Sequence, residues 1–300
     1  IKTHKRYVKF YNNRKLDFED MLISDYNHIR AFIKIEDGCD NFCSYCIIPY
    51  VRGSVRSKNF ETVIKEAKLL TQKGHKEIVL TGIHTGHYMD NDYDLTDLIN
   101  ELSKIEDLLR IRISSIEITE LNDKFLNMLS TNKKVCDHLH IPLQAGSDEI
   151  LKKMNRKYDL KYYEEKIKKI RMIRPDISIT TDIIVGFPYE TDELFNETLE
   201  FSRKMNFSKI HVFPYSIRLG TSAANMPNQV DESIKKERVK KLMDLSKTME
   251  KEYYNKFVGK ELDILVEECD NNVSIGHSSN YLMIRLNEKL EIGQIYKRII

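Results

Sequence analysis

From residue 31 onward the chain repeats one unit, in which a short apolar run is followed by a turn and an amphipathic helix. The helical period is clearest over 60–73, where one face carries Phe60, Val63, Ile64, Ala67 and Leu70. The pattern predicts six strands with helices between them, at 31–35, 77–80, 111–115, 139–141, 177–185 and 210–213. Strands that alternate with helices in this way are parallel, because each crossover is right-handed. We therefore predict an α/β fold, a partial six-unit (β/α) barrel instead of the closed barrel of eight.

The pattern changes on both sides of this repeat. Residues 1–28 carry many charges and tyrosines without periodicity, which is typical of a linker or the remnant of a preceding domain. Beyond Pro227 a charged helix is predicted over about 231–257, followed by alternating apolar positions at 262–266, 281–286 and 294–299. We expect the partial barrel with its trailing helix at 29–256. A small β-barrel-like domain is expected at 257–300, either complete or cut short at Ile300.

Composition and charge narrow the class of protein. The formal net charge is +2, with 48 basic and 46 acidic residues, so binding of nucleic acid would depend on local patches. No run approaches the roughly 18 apolar residues that span a bilayer, and we expect no membrane segment. Three of the five cysteines fall within eight residues, which favours a metal in a reduced compartment over a disulfide scaffold. The expected location is the cytoplasm.

The clustered cysteines, Cys39, Cys43 and Cys46, form a C-x3-C-x2-C pattern in the loop after the first predicted strand. Active sites of parallel barrels form at this end of the strands. Four thiolates normally hold a [4Fe–4S] cluster, so three leave one iron open to another ligand. The pattern therefore predicts such a cluster. A structural zinc site is an alternative, although His28 and His75 stand at no spacing typical of a fourth ligand. A chance group of buried cysteines is another.

With Tyr45 directly before Cys46, the loop resembles that of the radical S-adenosylmethionine superfamily. The resemblance implies that S-adenosylmethionine chelates the open iron through its amino and carboxylate groups. It also implies that the reduced cluster donates an electron to the sulfonium and releases a 5′-deoxyadenosyl radical. The protein would orient the cofactor and exclude water.

Further segments resemble the methylthiotransferase branch of this superfamily, at 46–53, 143–147, 181–188, 213–216 and 220–223. This branch attaches a methylthio group to an unactivated carbon, with one S-adenosylmethionine as methyl donor and another as radical source. Segments 80–86 and 114–117 resemble the bacterial enzymes that act on threonylcarbamoyladenosine in transfer RNA. The implied function is methylthiolation of C2 of that nucleoside, next to the anticodon. Alternatives are a methylthiotransferase for a ribosomal-protein aspartate and a zinc-bearing RNA-binding module without catalysis.

The resemblance also implies cofactor contacts made by backbone at the ends of two predicted strands. Thr81 and Gly82 lie where the superfamily places the backbone that receives the methionine amino group. Gly186 follows the fifth strand, where a flat adenine would rest on backbone. Glycine allows such a close approach, although a plain β/α turn explains Thr81 and Gly82 as well.

Three polar residues extend this candidate cofactor site. Ser115 and Glu117 follow the third strand and are candidates for binding the ribose or the amino group. Gln144 follows the fourth strand and is a candidate for binding the cofactor or the target base. Each is equally consistent with a structural hydrogen bond. No catalytic acid or base is predicted.

Four other residues of reactive type are not assigned to the candidate site. Cys136 and Cys269 stand alone, and a lone cysteine is usually a small buried apolar residue. His138 and His140 alternate along the chain at the fourth predicted strand, so we expect only one of them to face the barrel interior, and neither has a zinc partner at useful spacing.

Transfer RNA is the partner that the resemblance implies, through its anticodon loop. Arg52, Arg56 and Lys58 lie beside the cysteine loop, where they would contact phosphates or form a solvated surface. The C-terminal β-domain resembles the oligonucleotide-binding module that the family carries there. An electron donor such as flavodoxin or ferredoxin is also implied.

Full-length members of the branch carry an N-terminal domain with three further cysteines and an auxiliary [4Fe–4S] cluster associated with the sulfur. This sequence has no cysteine before Cys39 and begins with Ile1. We therefore expect a fragment without that domain, and an auxiliary cluster only in a full-length protein. Radical generation is expected to survive in such a fragment, whereas sulfur insertion is not assigned to it.

Overall fold

The computed structural model describes residues 17–19, 21–23 and 26–300, so most of the predicted linker at 1–28 lies outside the described residues. The strands are β1 (Ala31–Lys34), β2 (Glu36–Asp37), β3 (Arg56–Ser57), β4 (Glu77–Thr81), β5 (Met89–Asp90), β6 (Tyr93–Asp94), β7 (Arg110–Ile113), β8 (His138–His140), β9 (Ser178–Val185), β10 (Lys209–Pro214), β11 (Glu261–Asp270), β12 (Val273–Ser278), β13 (Met283–Leu286) and β14 (Ile295–Ile299). The helices are α1 (Ile48–Arg52), α2 (Phe60–Gln72), α3 (Leu95–Leu102), α4 (Asp123–Thr131), α5 (Asp148–Lys153), α6 (Leu160–Ile173), α7 (Asp192–Met205) and α8 (Glu232–Asn255). Among the described residues, no helix is both long enough and apolar enough to cross a bilayer.

Six parallel strands form two three-stranded sheets, in the orders β1-β4-β7 and β8-β9-β10. In the first sheet Ile33 pairs with Leu80, and Leu80 pairs in turn with Ile113. A parallel bridge between Ile111 and Val135 connects the two sheets. Within the described part of the chain β1 and β10 do not pair, so the barrel is open. The predicted α/β fold with six parallel strands is confirmed.

The main core lies between these sheets and the helices outside them. Ile33 and Leu80 are fully buried and belong to one apolar cluster with Val63 and Ala67 of α2. Full burial of each large aliphatic side chain stabilises the fold by about 1.5–3 kcal/mol. The predicted helical face of 60–73 is therefore the face that covers the sheet.

The structure departs from the predicted elements in local detail. Two helices, α5 and α6, precede residue 174, and they are separated by a turn in which Asn155 adopts a left-handed conformation with a φ of 60°. The second of them, α6, is capped at its start by Asp159, whose side chain accepts a hydrogen bond from the backbone N–H of Tyr162. Two antiparallel ribbons, β2-β3 and β5-β6, were not predicted, since strands of two residues leave no periodic pattern.

A four-stranded antiparallel sheet, in the order β13-β12-β11-β14, follows α8. Its small apolar core is separate from the main core and contains Tyr253, Phe257, Ile264, Leu282 and Ile284. The strands β11 and β12 shift register between Val266 and Glu268, which marks a bulge. We call this unit the β-domain.

The β-domain is attached to the parallel sheets through a buried ionic cluster. Glu77 is fully buried and accepts hydrogen bonds from Arg112 (Nε to Oε1, 2.6 Å) and Arg110 (Nη1 to Oε2, 3.4 Å). The two guanidinium groups also donate to backbone carbonyls of the β-domain, including those of His277 (3.0 Å) and Ser279 (3.2 Å). One carboxylate thus holds two arginines of β7 against the β-domain.

Candidate active site at the cysteine loop

The cysteine loop is closed at its base by the β2-β3 ribbon and by a buried carboxylate. Asp37 accepts hydrogen bonds from the backbone N–H of Gly38 (2.9 Å), from Lys34 (2.8 Å) and from Arg56 (2.7 Å). Burial opposes ionisation, but the bond from Lys34 and the nearby arginines hold the pKa of Asp37 below its usual value. Gly38 has a φ of +94°, and a Cβ there would overlap the carbonyl of Ser54. The loop therefore needs glycine at this position.

Two of the three basic residues predicted beside the loop have structural roles. Arg56 is engaged by Asp37, and Lys58 is 3% exposed and paired with Glu66 of α2. The interpretation of Lys58 as a phosphate contact or a solvated residue is wrong, because its ammonium group is buried against a carboxylate. Arg52 is exposed and lies 3.6 Å from the Asp37 carboxylate.

The three loop cysteines are free thiols and are partly exposed. Arg156 donates from Nη1 to the sulfur of Cys43 at 3.3 Å, and the backbone N–H of Asn41 donates to the sulfur of Cys39 at 3.5 Å. Burial raises the pKa of Cys46, and a hydrogen bond from the backbone of Ile48 acts against that shift. Donors directed at cysteine sulfurs stabilise thiolate ligands, so these residues fit an iron–sulfur cluster.

The arrangement is less suited to a single zinc ion. Among the described His, Cys, Asp and Glu side chains, two groups of three bring their ligand atoms within 4.8 Å of one another, and the loop cysteines are neither of them. A tetrahedral zinc ion with Zn–S bonds of about 2.3 Å needs sulfurs roughly 3.8 Å apart. A larger cluster accommodates wider spacing.

A buried ion pair lies directly beside Cys43. Glu117, a predicted cofactor residue, is bound by Arg156, which also donates from Nε to the hydroxyl of Tyr158 at 3.2 Å. Burial raises the pKa of Glu117, although Arg156 acts against the shift. Sequence reasoning missed Arg156. No sequence signal pointed to it, because Arg156 lies more than 100 residues from the cysteine loop in the chain.

Thr81 and Gly82, the two predicted cofactor residues at the end of β4, lie close to another buried carboxylate, that of Glu36. The hydroxyl of Thr81 donates to the carbonyl of Ile33 at 3.2 Å. A Cβ on Gly82 would lie 2.7 Å from Oε2 of Glu36, so the glycine allows that carboxylate to approach. Glu36 also accepts the backbone N–H of His84 at 2.6 Å, and burial raises the pKa of Glu36 to about 7.

Replacing Glu36 with glutamine is expected to stabilise the chain at neutral pH more than at acid pH. The pKa of Glu36 is about 7 in the folded chain and about 4.3 when unfolded, so between these values only the folded chain keeps the proton. The wild type therefore loses stability as the pH rises through this window, and the glutamine variant does not. Its advantage in free energy of unfolding should grow by on the order of 1–3 kcal/mol between about pH 4.5 and pH 7. Urea unfolding at both ends of the window measures this, and an equal difference at both would contradict it.

The remaining predicted cofactor residues follow strands β7, β8 and β9. Ser115 is half-buried after β7. Gln144 has a φ of +69°, and its backbone N–H donates to the carbonyl of Asp182 at 2.8 Å. Gly186 donates its backbone N–H to Glu190 at 2.7 Å. The aliphatic stem of Lys235 covers the side of Gly186 where a Cβ would stand.

Of the three predicted polar side chains, Ser115, Glu117 and Gln144, only one is linked to the cysteine loop by the described hydrogen bonds and ion pairs. Glu117 reaches Cys43 through Arg156. Within the described part of the chain, no hydrogen bond or ion pair joins the side chain of Ser115 or Gln144 to a loop cysteine. All six cofactor assignments stay predictions.

The expectation for the two histidines of β8 is wrong. The ring of His138 (Nε2, 3.0 Å) and the ring of His140 (Nδ1, 2.9 Å) both contact the hydroxyl of Thr180. Residues two apart in a strand lie on the same face of the sheet, so both rings point to the same side. Of the lone cysteines, Cys136 is buried as predicted, whereas Cys269 is only half-buried.

Comparison of the sequence with known proteins identifies a family and several relatives. The model of the Radical SAM superfamily matches residues 33–202. The chain is 45% identical over 277 residues to the threonylcarbamoyladenosine tRNA methylthiotransferase MtaB of Bacillus subtilis, covering 89% of this chain and 61% of that protein. It is 44% identical over 252 residues to the tRNA-2-methylthio-N(6)-dimethylallyladenosine synthase of a Thermoanaerobacter species, covering 83% of this chain and 54% of that protein. The chain thus spans between half and two thirds of the length of these relatives.

Two solved structures share the fold. The coproporphyrinogen III oxidase HemN of Escherichia coli, a radical SAM enzyme, superposes with a TM-score of 0.56 at 17% identity, covering 74% of this chain and 53% of that one. The radical S-adenosylmethionine methyltransferase TsrM of Kitasatospora setae, with cobalamin and a [4Fe–4S] cluster bound, superposes with a TM-score of 0.55 at 16% identity. It covers 65% of this chain and 38% of that one. At these identities the likeness extends to the fold alone.

Proposed function

Because this chain belongs to the Radical SAM superfamily, we propose that Cys39, Cys43 and Cys46 bind a [4Fe–4S] cluster and that the chain cleaves S-adenosylmethionine reductively. The observation that carries the proposal is a loop of three free thiols at the carboxyl ends of the parallel strands, with an arginine donating to one sulfur. When bound, the cluster would supply the electron that cleaves the sulfonium.

The residues around the loop have separate tasks in this proposal. Arg156 stabilises the thiolate of Cys43 and is itself fixed by Glu117. Backbone at Thr81, Gly82 and Gly186 would receive the methionine and adenine parts of S-adenosylmethionine, and the side chains of Ser115, Glu117 and Gln144 extend that site. The lysine stem beside Gly186 restricts an adenine to the other side of that turn.

The substrate that we propose is transfer RNA, with methylthiolation of C2 of threonylcarbamoyladenosine next to the anticodon. Relatives with 45% and 44% identity are named for two different modified adenosines in transfer RNA, which supports the RNA class more strongly than the particular nucleoside. The choice of nucleoside rests on the segments at 80–86 and 114–117. In this proposal the β-domain at 257–300 contacts the RNA, flavodoxin or ferredoxin supplies electrons, and the reaction occurs in the cytoplasm.

Anaerobic reconstitution tests the proposed cluster. We expect about four irons per chain and a brown chromophore that bleaches on reduction. Addition of S-adenosylmethionine and a reductant should then release 5′-deoxyadenosine. One zinc per chain and no colour would overturn the proposal and favour a structural metal site.

Nucleoside analysis of transfer RNA tests the proposed substrate. The intact gene is expressed in a host that lacks the corresponding modification, and digested transfer RNA is examined by mass spectrometry. We expect threonylcarbamoyladenosine to gain one methylthio group while the dimethylallyl nucleoside is unchanged. Methylthiolation of the dimethylallyl nucleoside alone, or of a ribosomal protein, would contradict this choice.

A further inference from the structure

The loop after β4 is wrapped around two buried carboxylates, one from β2 and one from the turn after β7. Glu36 approaches Gly82, and Glu120 approaches Gly86 so closely that a Cβ on that glycine would overlap the carboxylate. Glu120 also accepts the backbone N–H of Glu117 at 3.1 Å. The loop is therefore held by both carboxylates.

His84 lies at the centre of this loop and is fixed in several ways. Its backbone N–H donates to Glu36 at 2.6 Å, and its Nε2 pairs with Oε1 of Glu120. The ring stacks on that of His87, with centroids 3.8 Å apart and planes inclined by 25°. The side chain is 4% exposed. A ring held at its backbone, its edge and its face has little freedom to rotate.

The remaining nitrogen of the fixed ring faces the cysteine loop. Nδ1 of His84 lies 3.8 Å from the sulfur of Cys39. A cluster-bound thiolate only accepts hydrogen bonds, so a contact with it requires a proton on Nδ1. Hydrogen bonds to the sulfurs are among the features that set the reduction potential of an iron–sulfur cluster.

We propose that His84 is a positioning residue for the cluster. Its Nδ1 donates a hydrogen bond to the Cys39 sulfur and thereby raises the reduction potential of the cluster. Glu120 acts through His84, because it fixes the orientation of the ring in the way that an outer carboxylate orients a metal-bound histidine. The inference rests on the proposed cluster. It goes further by assigning a function to a loop that neither supplies a ligand nor takes part in the predicted contacts with S-adenosylmethionine beyond Thr81 and Gly82.

Redox titration of the reconstituted chain tests this inference, with the reduced cluster followed by electron paramagnetic resonance. We expect His84→Phe, which keeps a flat ring and loses both donors, to shift the midpoint potential to more negative values. His87→Phe is the matched control, since His87 belongs to the same loop and stacks on His84, but makes no described contact with a cysteine. Its midpoint potential should equal that of the wild type.

A second measurement uses the wild type and does not depend on the folding of a variant. In protein labelled with ¹⁵N only at histidine, pulsed electron paramagnetic resonance of the reduced cluster should detect a ¹⁵N coupling. Absence of that coupling, or an unchanged potential in a His84→Phe variant that binds iron, would overturn the inference and leave the proposed cluster intact. A wild type that binds no iron would overturn the proposed function and this inference with it.

Discussion

Replacing Cys43 with alanine is expected to abolish cluster binding and the formation of 5′-deoxyadenosine. The cluster would keep two protein thiolates, which do not hold it securely. The substitution also leaves the guanidinium of Arg156 without its sulfur acceptor. Iron content and 5′-deoxyadenosine after anaerobic reconstitution measure the effect, and we expect both to fall to background.

Cys269→Ala is the control for this prediction. Cys269 lies in β11, far along the chain from the cysteine loop, and its sulfur accepts a hydrogen bond from Ser274 at 3.5 Å. We expect normal iron content and normal 5′-deoxyadenosine in this variant. Formation of 5′-deoxyadenosine by Cys43→Ala would show that the ligands are assigned wrongly.

Replacing Glu77 with alanine is expected to lower the free energy of unfolding by about 3–5 kcal/mol. The substitution leaves two guanidinium groups, those of Arg110 and Arg112, buried without their shared carboxylate. Their remaining described acceptors include backbone carbonyls of the β-domain, which carry no full charge. Because the chain has no tryptophan, urea unfolding is best followed by circular dichroism.

Glu101→Ala is the matched control for Glu77→Ala, because it breaks an ion pair at the surface instead of a buried one. Glu101 pairs with Lys104 three residues further along the chain, and both side chains are exposed. Exposed pairs of this kind contribute about 0–1 kcal/mol, so the variant should unfold close to the wild type. Equal effects of the two substitutions would mean that the buried carboxylate does not hold the arginines together.

The parallel sheets could be predicted because each strand is buried on the helix-facing side and each helix has one apolar face. That repetition leaves a periodic pattern in every unit, as in 60–73. The division of the helices at Asn155 left no such pattern, since it depends on the left-handed conformation of one residue. The fold class was therefore predictable, and the turn that places Arg156 beside Cys43 was not.

The candidate site was only partly predictable for a related reason. The cysteines are close in sequence and form a recognisable pattern, and the resemblance drawn from the motifs is confirmed by relatives with 40–45% identity. Glu120 and Arg156 reach the loop from separate segments, so only the folded chain shows that they meet there. The prediction that Lys58 lies at the surface was wrong because its partner, Glu66, lies on the buried face of α2.

The β-domain contacts both parallel sheets, on either side of the bridge that connects them. It binds the first sheet through Arg110 and Arg112. It reaches the second through the hydroxyl of Ser279, which accepts the backbone N–H of Asp137 at 2.9 Å. The ring of Tyr281 adds a contact with that of His138. The β-domain therefore holds together the two three-stranded sheets of the open barrel where β7 and β8 meet. We call this junction the seam.

Cutting the chain after α8 would remove the contacts that join the two sheets, together with the surface that we propose for RNA. Loss of modification after such a deletion would not reveal which of the two mattered. Substitution of an outward-facing residue such as Met283, which is 67% exposed, separates RNA contact from the integrity of the seam.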